Sequence, residues 1–143
     1  MKVLNEFKIS FPSRSVNEGL SRIAVSAFAA QLDPPVDELS DVKTAVSEAV
    51  TNCIVHAYKN TVGTIEISMR ILDQNRLYIK IKDKGCGIED IEKAMEPLFT
   101  TAPEEERAGL GFAVMESFMD KLSVRSKVSK GTTIIMYKKF SSR

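Results

Sequence analysis

The stretch from Leu39 to Ala57 constrains this chain more than any other. Leu39, Val42, Val46, Val50, Cys53 and Ala57 recur there at helical spacing, the pattern of a helix that buries one stripe against a core. Beside that stripe, within EAVTNCIVHAY (48–58), stand Glu48, Asn52 and His56, four residues apart each time. On a helix the consecutive members of such a row are neighbours, with Cβ atoms roughly 5–6 Å apart. Buried polar groups are costly unless paired, so an ordinary core helix has no reason to align Glu with Asn. A helix that faces a ligand has one. For His56 the commoner role is a structural hydrogen bond.

Around this helix the chain alternates between the two periods of secondary structure. Phe7, Ile9 and Phe11 alternate with polar residues and predict a half-buried first strand, ended by Pro12. Ser15 and Glu18 have the spacing of a capping box, and Leu20, Ile23, Ala27 and Phe28 then predict a helix running to about Leu32. Asp33-Pro34-Pro35 breaks it, because proline lacks a donor and disfavours helix in the residue before it. After Gly63, Ile65, Ile67, Met69 and Ile71 alternate, residues 73–76 turn, and Leu77, Ile79 and Ile81 alternate again. That is a β-hairpin. A short helix over 88–95, a mobile loop over 96–108, and a helix carrying Phe112, Met115, Phe118 and Met119 come next. Val124 and Val128 fit a strand, 129–131 a turn, and 132–137 a last β-branched strand.

The order β-α-α-β-β-α-loop-α-β-β contains hairpins and no βαβ alternation, which excludes Rossmann and P-loop arrangements. The expected fold is α+β: a two-layer α/β sandwich, with a mixed, mostly antiparallel sheet and helices on one face. At 143 residues one domain over 1–143 suffices, enough to bury about two-thirds of the unfolded surface.

Charge narrows the function classes. Twenty basic against nineteen acidic residues leave a formal charge of +1, which argues against direct binding to nucleic acid. The distribution is uneven: residues 88–107 hold seven acids and two bases, and 121–143 hold seven bases and no acid. Two solvated faces, or a charged docking surface, account for that. No apolar run approaches the ~20 residues of a membrane span and no signal-peptide pattern opens the chain, so the expected location is cytoplasmic and off the membrane. Cys53 and Cys86 match no metal or redox spacing and read as free thiols. With one histidine, a His-based zinc site lacks ligands.

Two glycine pairs remain. Gly85 and Gly87 follow a strand that ends in Asp83, and Gly109 and Gly111 precede a helix. Glycine lets backbone approach a ligand closely, and a helix start offers unpaired amides to an anion. Taken singly, each pair also reads as an ordinary turn, and Asp83 as a turn former. Neither pair fits the P-loop pattern.

Together these features are far more specific. Glu and Asn one turn apart on a helix, Asp-x-Gly-x-Gly after a strand, and a loop ending in Gly-x-Gly before a helix resemble the ATP site of the gyrase, Hsp90, histidine-kinase and MutL superfamily. Within it, the chain most resembles the anti-sigma-F family, serine protein kinases of sporulating bacteria. The resemblance is carried by QLDPPVDELSDVKTAVSEAVTNCIVHAY, IKDKGCGIEDIEKAMEPLFTT, ERAGLGFAVMESFMD and GTTI, and it extends over nearly the whole chain.

The resemblance implies a Bergerat-type ATP-binding fold, with ATP and Mg²⁺ as cofactors. It implies Glu48 as the general base toward a substrate serine and Asn52 as the Mg²⁺ ligand. Asp83 would bind the adenine amine, with Gly85 and Gly87 passing close to the base and Thr132 adding a polar contact. Residues 96–108 would form a lid carrying Thr100, Thr101 and the phosphate contact Arg107, and Gly109, Leu110 and Gly111 would offer backbone amides. The family often has a lysine after the paired threonines; Ala102 stands there, leaving more of the positive charge to Arg107. Implied partners are a sporulation sigma factor, an anti-anti-sigma protein as phosphorylation substrate, and a second copy in a homodimer, with Arg22 of the first helix contacting partners. A general-stress anti-sigma kinase and a non-catalytic, nucleotide-gated module are the alternatives. A eukaryotic-type protein kinase is excluded, because its lysine and HRD signatures are missing.

Overall fold

A computed structural model describes residues 2–88, 91, 95 and 103–141, and for 103–110 the backbone alone. Its elements are β1 (Val3–Pro12), α1 (Val16–Ala29), α2 (Val36–Asn52), β2 (Thr64–Leu72), β3 (Arg76–Asp83), α3 (Pro103–Phe118), β4 (Lys121–Lys127) and β5 (Gly131–Lys139). A 3₁₀ turn, Ala30–Leu32, follows α1, and a π turn, Cys53–Ala57, follows α2. The five strands form one sheet in the order β1-β2-β3-β5-β4. Each pairing is antiparallel, so no parallel component of the anticipated mixed sheet is present among the described residues.

Alternation decides the layering. Ile65, Ile67, Met69, Leu77, Ile79, Ile81, Ile134 and Met136 are buried in one cluster with Val25 and Phe28 of α1, Val42, Val46 and Val50 of α2, and Phe112 and Met115 of α3. The intervening residues turn to the open side. There Arg70 lies 5.2 Å from the Tyr78 ring, which meets Tyr137 edge-on at 5.3 Å.

The first strand and helix differ from the sequence expectation. β1 lies at the sheet edge, and of its apolar residues only Ile9 and Phe11 are half-buried, while Phe7 is 38% exposed. On α1 the buried face is Ser21, Val25, Phe28 and Ala29. Leu20 and Ile23, taken from the sequence as core, are 61% and 67% exposed, and Ala27 is exposed too. The helix carries two apolar stripes about one residue apart, and periodicity alone does not choose between them. The capping box is also absent: Ser15 has helical φ −57° and makes no side-chain cap, whereas an N-cap takes extended backbone. The Glu18 carboxylate turns instead to Ser47 Oγ on α2 and to Arg22 Nε, 3.0 Å away. Asp33 does end the segment, at φ 48°.

The largest correction concerns α3. Residues 103–108, read as loop, are its first turns, and Gly109, Leu110 and Gly111 lie inside the helix. Pro103 is suited to the first helical position, and Glu104, Glu105 and Glu106 favour a helix N-terminus electrostatically. Interior helix amides are bonded to carbonyls four residues back, so 109–111 do not offer the free amides of a helix start. The helix expected over 88–95 falls mostly outside the described residues, although the Met95 N–H donates to the Ile91 carbonyl at 3.0 Å. Residues 96–102 fall outside them entirely.

Candidate active site

Three elements converge on the C-terminal end of α2. The first is α2 itself, where Glu48 is half-buried and Asn52 is 8% exposed. The second is α3, whose Gly111 lies directly over that pair. A Cβ on Gly111 would stand 3.2 Å from Glu48 Oε2 and 3.3 Å from both Nδ2 and Oδ1 of Asn52. Any larger residue would press these head groups back by a few tenths of an ångström.

Both side-chain atoms of Asn52 are buried and lack a hydrogen-bond partner among the described residues. Leaving a buried polar group unpaired costs about 1–3 kcal/mol, so the amide calls for a partner beyond the described residues, and a ligand can supply it. A cation held partly by a ligand's phosphates fits. Mg²⁺ takes few protein ligands, keeps several waters and shares phosphate oxygens, and the Asn52 carbonyl oxygen suits it. No cluster of three or more His, Cys, Asp or Glu occurs among the described residues, so they form no self-contained metal centre.

His56 lies in a turn of different helical pitch from Glu48 and Asn52. At Cys53 the helix widens to π, and the Tyr58 N–H donates to the Cys53 carbonyl at 3.1 Å, five residues back. π turns are frequent where a helix carries a site.

The third element is the end of β3. Asp83, 5% exposed, accepts the N–H of Gly85 at 2.9 Å and of Thr132 at 3.2 Å on Oδ1. Its Oδ2 accepts the Cys53 thiol at 3.4 Å. Burial pushes the Asp83 carboxyl above the usual range, and the Gly85, Cys53 and Thr132 donors oppose that shift. Burial, helped by the Asp83 charge, also pushes the Cys53 thiol well up, so the sulfur keeps its proton. Because Asn52 and Cys53 are consecutive, one point on the chain ties the Glu48–Asn52 pair to the Asp83 pocket.

The Asp83-x-Gly85-x-Gly87 turn is clamped on two sides. Cys86 N–H donates to the Ala57 carbonyl at 3.0 Å, and Ser129 N–H to the Cys86 carbonyl at 2.8 Å. A Cβ on Gly85 would fall 2.3 Å from the Ala57 oxygen, and Gly87 has φ +77°, so both positions require glycine. Tyr58 braces the same turn: its hydroxyl donates to the Thr64 carbonyl at 2.7 Å and accepts the Lys84 N–H at 2.6 Å. Ser126 Oγ accepts the Ile88 N–H at 2.7 Å and lies 2.8 Å from Thr132 Oγ1. Cys53, Tyr58 and Ser126 carry no sequence signal for these roles, since Asp83, Lys84 and Ile88 lie 26 to 38 residues away from them.

Glu48, Asn52, Asp83, Gly85, Gly87, Gly111 and Thr132 are therefore brought together. Thr100 and Thr101 lie outside the described residues, as do the side chains of Arg107 and Leu110, while Gly109 lies inside α3. Arg22 is elsewhere, in a groove between α1 and α2 with Lys43, Thr44 and Ser47.

Comparison with known proteins agrees with this geometry. Residues 11–138 match the histidine kinase-like ATPase domain family. An anti-sigma F factor of Caldanaerobacter subterraneus subsp. tengcongensis is 57% identical over 138 residues, 96% of each chain. One from Thermoanaerobacter sp. (strain X514) is 54% identical over 142 residues, 99% of each chain. In fold, the chain resembles the RsbU and RsbW domains of a Mycobacterium tuberculosis protein, at a TM-score of 0.72 and 16% identity, over 97% of this chain and 33% of that longer one. With the ATPase fold, the paired Glu48 and Asn52, and relatives this similar along their whole length, the chain belongs to the anti-sigma F factor family of histidine kinase-like ATPase domains.

Proposed function

We propose that this chain, as a single domain over 1–143, is an ATP-dependent anti-sigma factor. It sequesters a sporulation sigma factor and phosphorylates a serine of an anti-anti-sigma partner. The observation that carries this reading is the convergence under Gly111 of Glu48 and Asn52, whose amide has no partner among the described residues, adjoining the buried carboxylate of Asp83.

Each residue has a task in phosphoryl transfer, where positioning and charge neutralisation dominate. Asp83 accepts the exocyclic amine of adenine, and the turn through Gly85 and Gly87 passes beside the base with Thr132. Asn52 holds Mg²⁺, which when bound neutralises charge on the phosphates. Glu48 removes the proton from the incoming serine hydroxyl. Thr100 and Thr101, with Arg107 of the first turns of α3, complete the phosphate contacts.

Partner binding belongs to α1. Its outer stripe leaves Val16, Leu20 and Ile23 61–79% exposed, and Leu4 of the adjoining β1 is 56% exposed. Exposed apolar side chains at helical spacing, as on α1, mark an interaction site, here the homodimer contact. Arg22, oriented by Glu18, engages the sigma factor and the anti-anti-sigma protein. No described helix is long and apolar enough to cross a membrane, in keeping with action in the cytoplasm.

The test is transfer from γ-labelled ATP to a serine-bearing anti-anti-sigma protein, alongside nucleotide binding. Glu48→Gln is expected to bind Mg-ATP normally and to lose about 10²–10⁴-fold in transfer rate. Equal transfer by that variant would remove the base and leave a nucleotide-gated binding module. Chelating Mg²⁺ should weaken ATP binding to the wild type and have little effect on Asn52→Ala. Arg22→Ala should lose partner binding with ATP affinity intact; retained sigma binding would return Arg22 to an ordinary surface residue.

A further inference from the structure

Cys53 is the buried group of the pocket that phosphoryl transfer leaves unused. It is 2% exposed, and its Sγ lies 3.4 Å from Asp83 Oδ2. The two oxygens of Asp83 are served unequally. Oδ1 receives two backbone amides, from Gly85 and Thr132, while Oδ2 receives only the thiol among the described residues.

That asymmetry matters for a ligand. A carboxylate oxygen offers two lone-pair sites, so Oδ1 is filled and Oδ2 has one to spare. The S–H is a weak donor: strong enough to orient a neighbouring charge, too weak to saturate it. Without the thiol, Oδ2 would lie in the buried pocket with no donor to fix its direction. Resting on the base-binding role of Asp83 given above, we propose that Cys53 is a positioning residue for base recognition. Its thiol holds Asp83 Oδ2 in the orientation that receives the exocyclic amine of adenine and leaves that oxygen able to accept it. Cys53 thereby contributes to selection of an amino-purine, through Asp83 and without necessarily touching the base.

Titration calorimetry of the full chain with two nucleotides tests this, each with Mg²⁺: ATP, and purine riboside 5′-triphosphate, which lacks the exocyclic amine. Cys53→Ala is expected to lose about three- to tenfold in ATP affinity, the worth of one weak hydrogen bond, and nothing for the amine-free analogue. Retained analogue binding also shows that the variant is folded. Cys53→Ser, which restores a donor of similar size, should recover the preference for ATP. Equal losses for both nucleotides, no loss for either, or failure of serine to rescue would each overturn the proposal. Asp83→Asn in the same series separates the two readings. If it leaves the ATP preference unchanged, the base-binding role of Asp83 itself fails. If it abolishes the preference while Cys53→Ala does not, only the role of Cys53 falls.

Discussion

At the scale of single residues, Asp83 shows what the site costs the fold. Its carboxyl is raised by burial, so it takes up a proton more readily in the folded protein than in the unfolded chain. The stability this group contributes is fully present below the ordinary carboxylate range and is lost as pH rises through the raised value. At neutral pH the protein therefore carries a buried charge that the fold alone does not need. Asp83→Asn keeps an acceptor for the Gly85 and Thr132 amides and removes that charge. Its melting temperature at neutral pH should equal or exceed that of the wild type, with the margin narrowing in mild acid. ATP affinity should fall at least about tenfold, since the base loses a charged acceptor. A lower melting temperature at neutral pH would instead make the charge structural. Asn52 was legible in the sequence because an amide is wrong for a core stripe, and Asp83 only through its place in Asp-x-Gly-x-Gly, since alone it reads as a turn former. The thiol of Cys53 was not, since a cysteine in an apolar stripe reads as one more small hydrophobe.

At the scale of elements, α2 and α3 meet over the Glu48–Asn52 pair. Gly111→Ala probes that meeting, and two effects oppose each other in it. Alanine in a helix interior gains about 1 kcal/mol over glycine. The new Cβ, however, would sit 3.2–3.3 Å from Glu48 and Asn52, and overpacking of this kind costs about 1–3 kcal/mol. Glu48 is half-buried and its long side chain can give way, so the two nearly cancel. The melting temperature is expected to shift by a few degrees at most, about 2–8 °C per kcal/mol at this size. Mg-ATP affinity should drop about tenfold as the space over Asn52 closes. Unchanged nucleotide affinity would place the phosphates elsewhere. The first turns of α3 were missed in the sequence because Pro103 and the three glutamates after it lack apolar periodicity, and helix-start chemistry was the only signal.

At the scale of the whole molecule, the sheet and helices enclose one core and leave a second apolar stripe uncovered on α1. Leu20 and Ile23 follow helical spacing as faithfully as Val25 and Phe28 do, yet they face outward. In a homodimer through this face, Leu20→Glu with Ile23→Glu should raise the dimer dissociation constant at least about a thousandfold, from lost burial of about 1.5–3 kcal/mol per side chain. Sedimentation velocity reads this directly. A variant that remains dimeric would move the interface off α1, and undiminished ATP binding would confirm that the fold survives.

The sequence by itself determined the strands of the hairpin, the α2 stripe, and the residue types of the site, Glu48, Asn52, Asp83 and the Gly85/Gly87 turn. These depend on local period and on residues that a core would reject. Tertiary structure alone decided which of two apolar stripes of α1 is covered, that Glu18 leaves its capping place for α2, and that Gly111 serves as space over Asn52 inside a helix already begun at Pro103. Each of those outcomes is a competition between a local preference and a contact with a distant part of the chain, and sequence spacing records only the first of the two competitors.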